Sequence, residues 1–332
     1  MFKPPDHVRG MISLDKSKFD KQIKLPFIQV DTKSVNKVLT IIKPLDAMLK
    51  IRNFKTVCQS EDQEKTKIYL NPETIKTLDD LKDKRKPLEE LFDVKTIDFQ
   101  NFQMKYEHYS YAQILDSILP ENQETISSFS LIGHIVHLNL KEHNLPYKYL
   151  IGQVILDKLR QAKLVVNKLN IIESEFRNFN MEVLAKSSPE IDSLVKTSEK
   201  GVKFEFDFAK VYWNPRLGTE RERIVKMLKS KVDILYDVFA GVGPFALAAA
   251  TNRRCQVIAN DLNPECYKWL THNIKLNKVE HLVKPYNLDG REFIKTILRK
   301  DYLDRINSLK IDQSNQDDIP KFHIVMNLPA LA

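Results

Sequence analysis

Residues 234–245, Ile-Leu-Tyr-Asp-Val-Phe-Ala-Gly-Val-Gly-Pro-Phe, constrain the fold more than any other stretch of the chain. An apolar run ends in Asp237 and breaks into a turn that contains Gly241 and Gly243. A small-residue stretch, Ala246 to Ala250, follows as a helix start. A second apolar run, Gln256 to Asn260, then closes on another carboxylate, Asp261. The order predicts strand, glycine loop, helix, strand and acid. That is the nucleotide-binding half of a doubly wound α/β sheet.

The loop is not the Gly-x-Gly-x-x-Gly of nicotinamide enzymes, because Phe245 stands where the third glycine would be. Asp237, just before the loop, would repel a pyrophosphate. Both features disfavour an oxidoreductase. An adenosine ligand with a cationic, phosphate-free tail fits better. S-adenosylmethionine is such a ligand, since its ammonium and sulfonium are drawn to carboxylates. A ligand-free βαβ unit is the competing reading, because a glycine loop alone is weak evidence.

The rest of the chain bounds the setting. Its 332 residues are enough for two or three domains. A net charge of +8 favours a polyanionic partner, although a merely basic enzyme has the same excess. The three cysteines, Cys58, Cys255 and Cys266, form no Cys-x-x-Cys pair, so neither zinc nor a disulfide framework is expected. No apolar run is long enough to span a membrane.

Three consecutive regions are expected: 1–115, 116–210 and 211–332. In the first, Phe27–Val30 reads as a strand and Val35–Leu49 as a helix interrupted by Pro44. The basic cluster at Lys82, Lys84, Arg85 and Lys86 reads as a solvated loop. Phe99, Phe102, Tyr106, Tyr109 and Tyr111 read as a packed face. In the second, Leu131–Leu140 reads as one strand, which would put His134 and His137 on opposite faces, where they cannot readily share a metal and read as core or loop histidines. Tyr149–Leu159 is expected as a helix, Leu164–Lys168 and Phe204–Phe208 as strands, and Ser187–Lys200 as a polar loop. In the third, strands are expected at Ile234–Val238, Gln256–Asn260, Val283–Asn287 and Phe322–Met326. Asn263 should cap a helix starting at Pro264, and Asp312–Asp318 is expected as a loop.

The last expected strand runs into Asn327-Leu328-Pro329. This is similar to the Asn/Asp-Pro-Pro turn of methyltransferases that act on nitrogen in a planar base. Asn327 supplies an amide donor and acceptor, and Pro329 fixes the turn.

Taken together, these blocks resemble the eukaryotic tRNA (guanine-N1)-methyltransferase family, which modifies the guanosine just 3′ of the anticodon. The resemblance runs over nearly the whole chain. It includes Val8-Arg9-Gly10-Met11, Gly133 to Leu140, Ile151 to Lys158, Phe176-Arg177-Asn178-Phe179, Met181 to Ala185 and Val211 to Arg221. Asp237 to Phe245, Asn260 to Pro264, Asn287 to Arg291 and Met326 to Pro329 complete it. It implies a Rossmann-like class I methyltransferase domain of about four strands in 211–332. An N-terminal tRNA-recognition domain and a middle α+β domain would precede it.

The resemblance also implies roles. Glu220 would be the general base that takes the guanine N1 proton, and Arg177 the partner of O6, with Asn327 and Pro329 positioning the base. Asp237, Phe239, Gly241, Gly243, Asp261, Leu262, Asp289, Gly290 and Asn327 would surround S-adenosylmethionine, with Asp261 on the ribose and Asp289 near the adenine. Arg216, Arg221 and Arg223 would hold Glu220 or meet phosphate; without the resemblance, Arg177 with Glu220 would read as a structural ion pair, and the resemblance reverses that.

The implied partner is tRNA, the implied state a monomer. The implied compartments are cytoplasm and nucleus, with a mitochondrial pool. Another RNA or a protein amide as substrate, and a non-catalytic tRNA-binding form, remain open alternatives. The chain departs from the family at Lys186, where glycine is usual, at Pro215, and at its end, since the family continues past the Asn-Leu-Pro turn. The expectation from that last point is a truncated chain with weak cofactor binding or poor folding.

Overall fold

The computed structural model describes residues 2–121, 126, 129–169, 181–308 and 319–328. It divides into two compact units. One holds Met1–Ser127 and Lys141–Lys158, the other Ser128–Leu140 and Leu159–Ala332. The expected middle region, 116–210, is therefore shared between both units. The cause is a crossover: two parallel strands of the second unit are joined by a helix that belongs to the first.

The first unit is a four-stranded antiparallel sheet with helices. Its elements are β1 (Lys21–Asp31), α1 (Val35–Ile42), β2 (Val57–Gln59), β3 (Lys65–Tyr69), α2 (Arg85–Phe92), β4 (Asp98–Met104), α3 (Tyr111–Ile118) and α4 (Lys148–Lys158). The strand order is β2-β3-β1-β4. Pro44 ends α1 as expected, by way of a short 3-10 turn and Asp46 in the left-handed region. Ile28, Ile42, Ile68 and Leu70 are fully buried beneath the sheet. The expected aromatic face is packed at Tyr106 and Tyr109, with Phe19 set edge-on against Tyr106 at 5.3 Å. Arg85 of the basic cluster pairs with Asp79 and Glu89.

The second unit opens with β5 (Ser130–Ile132), β6 (Ile135–Leu138), β7 (Leu164–Lys168) and β8 (Met181–Lys186), in the order β5-β6-β7-β8. The single strand expected over Leu131–Leu140 is thus a hairpin. Gly133, at φ +57, turns the chain between two short antiparallel strands. His134 lies in that turn and bonds the Asp192 carbonyl at 3.1 Å. His137 packs edge-on against Phe208 at 5.4 Å, and burial depresses its pKa to about 4.

The polar stretch Ser187–Lys200 is not all loop. It contains β9 (Leu194–Glu199), which pairs with β10 (Val202–Asp207) across a tight turn at Lys200 and Gly201. Val202, Phe204 and Phe206 alternate inward on β10, and Trp213 stacks on Phe206 at 4.9 Å. Each such aromatic contributes about 2–3 kcal/mol by burial.

The remaining elements are α5 (Gly218–Met227), β11 (Ile234–Asp237), α6 (Pro244–Arg253), β12 (Gln256–Asn260), α7 (Pro264–Leu276), β13 (Val283–Tyr286), α8 (Gly290–Phe293), α9 (Arg299–Ser308) and β14 (Phe322–Val325). A π-helical turn, Ile294–Leu298, joins α8 to α9. The four strands form a parallel sheet in the order β13-β12-β11-β14, at the expected positions to within a residue or two. Leu235, Tyr236, Val257 and Ala259 are almost wholly buried, which is why these strands read as continuous apolar runs. The loop expected at Asp312–Asp318 lies outside the described residues.

Candidate functional site

The carboxyl ends of β11, β12 and β13 and the segment after β14 open onto one cavity of about 650 Å³. That volume suits a drug-sized ligand. Ligands in open α/β sheets bind at this end of the strands, where the order reverses between β12 and β14 about β11.

The loop after β11 is shaped by its glycines and by an acid from the next strand. Gly243 adopts φ +96, and a Cβ there would sit 2.7 Å from the Leu270 side chain. Pro244 then begins α6 at the position where its missing N–H costs nothing. Asp261 Oδ2 accepts the Gly241 N–H at 2.7 Å, so the acid that ends β12 also closes the glycine loop. Its Oδ1 accepts the Asn263 N–H at 2.9 Å, and Asn263 in turn caps α7 by accepting the Glu265 N–H at 2.9 Å. Burial raises the Asp261 pKa against these hydrogen bonds.

Asn260 staples three loops. Its amide donates to the Val238 and Leu288 carbonyls at 3.1 and 3.0 Å and accepts the Leu288 N–H at 3.0 Å, with no surface exposed. Asn287 adds bonds to the Asp261 and Leu262 carbonyls. Asp289 caps α8 through the Arg291 N–H at 2.9 Å. Gly290 allows the Phe239 ring to approach, since a Cβ there would lie 2.7 Å from it.

Asp237 is the unusual group. It is wholly buried, and its carboxylate has no well-formed hydrogen bond among the described residues beyond a loose approach of the Ala246 N–H, which only partly offsets burial. Burial first, and the nearby Asp261 carboxylate second, push its pKa up to about 8. A buried carboxyl with so little hydrogen bonding is costly to ionise unless a cation arrives beside it.

Of the residues expected around a cofactor, Phe239, Gly241, Asp261, Leu262, Asp289, Gly290 and Asn327 line the cavity. Asp237 and Gly243 lie outside its wall, one as a buried carboxylate at the end of β11, the other as a packing position against α7. Glu220 is also outside the wall. It sits half exposed on α5, in a two-pronged pair with Arg223 at 2.7 and 2.8 Å that lowers its pKa. Arg177 and Pro329 lie outside the described residues.

Several wall residues were not anticipated, among them Trp213, Cys266 and Arg291. Arg221 lines the wall too, but it does not hold Glu220. It turns to Glu199 on β9. Pro215 starts a short 3-10 turn capped by Asn214, so that departure is absorbed locally.

Comparison with known proteins bears on this geometry. A family model of the TRM5/TYW2 methyltransferase domain matches residues 195–315, and one of the TYW2 N-terminal domain matches 111–186. The chain is 45% identical over 334 residues to a tRNA (guanine(37)-N(1))-methyltransferase of Drosophila melanogaster, covering 99% of this chain and 69% of the relative. This chain belongs to the tRNA (guanine(37)-N(1))-methyltransferase family.

Relatives of the same description from Xenopus tropicalis (45% identical) and Homo sapiens (44%) align with all of this chain, which covers 65% and 63% of their lengths. The chain therefore spans about two thirds of the curated relatives it matches. Among solved structures, that of aTrm5 in complex with tRNALeu superposes with a TM-score of 0.59 at 27% identity, covering 81% of this chain and 76% of that one. Trm5b from Pyrococcus abyssi gives 0.57 at 27% identity, covering 81% and 73%. The expected Rossmann-like class I domain is thus the fold observed.

Proposed function

We propose that the chain transfers a methyl group from S-adenosylmethionine to N1 of the guanosine 3′ of the anticodon in tRNA. The observation that carries this reading is the cavity walled by the Gly241 loop, Asp261 and Asp289 at the carboxyl ends of β11 to β13, with the buried Asp237 carboxyl at the end of β11, in a chain of this family. It fits a donor with a cationic amino-acid tail and no phosphate. Asp261 and Asp289 fit the hydroxyls and amine of an adenosine, and Phe239 with Leu262 supplies apolar surface to its ring. The bound donor supplies an electrophilic methyl on a positively charged sulfur.

Guanine N1 carries a proton at neutral pH and attacks only once that proton leaves. Glu220 is the acceptor in this reading. Arg223 now holds its carboxylate and lowers its proton affinity, so the base acts after guanosine displaces the Arg223 fork. Arg177 stabilises charge growing on O6, and Asn327 with Pro329 holds the flipped base against the cavity. The basic excess of the chain serves the polyanionic partner. The working state is a monomer, in cytoplasm and nucleus with a mitochondrial pool.

The test uses two tRNA transcripts that differ only in guanosine or adenosine beside the anticodon. Labelled methyl should enter the first and not the second. Glu220→Gln should lower the rate at least a hundredfold while leaving donor affinity within about twofold. Equal labelling of both transcripts would sink the assignment.

A further inference from the structure

The cavity wall carries two cations, Arg221 and Arg291, and two carboxylates, Asp261 and Asp289. Arg221 is the buried cation, only 3% exposed. A guanidinium in that position works against a ligand that is itself positive. Its surroundings answer this. Glu199, the last residue of β9, meets Arg221 fork to fork, with Nε donating to Oε1 at 2.9 Å and Nη2 donating to Oε2. Nη1 donates to the Asn214 carbonyl at 3.2 Å, and the guanidinium lies 5.1 Å from the Trp213 ring centre. Room for Glu199 is left by Gly218, the first residue of α5, where an added methyl would sit 3.3 Å from Oε1.

We infer that Glu199 is a specificity-determining residue: it cancels the charge of Arg221 so that the cavity accepts a sulfonium donor in preference to its neutral thioether product. The inference rests on the proposed function. With Glu199 present, the carboxylates around the cavity outnumber the cations and the site favours a positive ligand. Without it, Arg221 remains buried and uncompensated, and the charge beside the donor changes by one unit. A purely structural pair would behave differently, because its loss weakens every ligand of the cavity alike.

The experiment is calorimetric binding of S-adenosylmethionine and S-adenosylhomocysteine to the wild-type chain and to Glu199→Gln. The two ligands share adenosine, ammonium and carboxylate, and differ in the methyl group and the sulfonium charge. Glu199→Gln should raise the ratio of the methionine-ligand Kd to the homocysteine-ligand Kd by roughly threefold to tenfold. Glu199→Gln combined with Arg221→Gln should return it to the wild-type value. An unchanged ratio, with both affinities falling together, overturns the inference. If Glu199→Gln fails to fold, Arg221→Met supplies the reciprocal test: it leaves Glu199 unopposed and should lower the ratio by a similar factor, and no change would overturn the inference. Failure of the wild-type chain to bind either ligand would instead remove the proposed function on which it rests.

Discussion

Replacing Asp237 by asparagine should remove a specific pH dependence of folding. The Asp237 carboxyl has an ordinary pKa of 3.8 and is pushed up to about 8 in the folded chain by burial and by Asp261. Between those values the folded state holds a proton that the unfolded state has released. Stability from this group is therefore complete below about pH 4 and is lost progressively as pH rises towards 8, by about 1.4 kcal/mol per pH unit with a ceiling of about 6 kcal/mol. The amide introduced by Asp237→Asn would not titrate, and apart from Asp261, which is coupled to Asp237, the other groups titrate alike in both proteins. The stability difference between wild type and Asp237→Asn should consequently shift by about 3 kcal/mol between pH 5 and pH 7.5, in favour of the variant at the higher pH. Urea unfolding at several pH values measures it. Saturating S-adenosylmethionine should flatten the wild-type curve, because a bound cation stabilises the ionised carboxylate. Parallel stability curves for the two proteins would refute the reasoning, for Asp237 would then be solvated and ordinary.

Two further outcomes follow from the packing. Gly290→Ala should weaken donor binding at least tenfold by calorimetry, because its methyl would meet the Phe239 ring at 2.7 Å in the cavity wall. Asn260→Ala removes three hydrogen bonds at a position with no exposed surface and leaves the Val238 and Leu288 groups unpaired, which should cost about 2–4 kcal/mol in urea unfolding.

Much of the parallel-sheet region was legible because parallel strands buried on both faces read as apolar runs. Ile234 to Asp237 and Gln256 to Asn260 each stop at a polar residue that marks the ligand end of the sheet. The hairpin at 130–138 was hidden because apolar residues flank Gly133 and His134 on both sides, and a single glycine there also fits a bulge. β9 was hidden for the opposite reason. It is one half of a two-stranded ribbon, and its outward residues Lys196 and Ser198 make it read as polar. In the site, local chemistry such as the Asn263 cap could be read from its neighbours. The Arg221–Glu199 pair could not, since its partners stand 22 positions apart and meet only through the β9–β10 turn. The second role of Asp261, closing the loop on Gly241, is likewise set by tertiary contact across 20 positions.

The most direct measurement is the identity of the modified nucleoside. The guanosine-bearing transcript would be incubated with the chain and labelled S-adenosylmethionine, digested to nucleosides and resolved by mass spectrometry. The account predicts 1-methylguanosine as the labelled product, arising from the position 3′ of the anticodon. Label in a ribose-methylated nucleoside, in a different methylguanosine or at another position would contradict it.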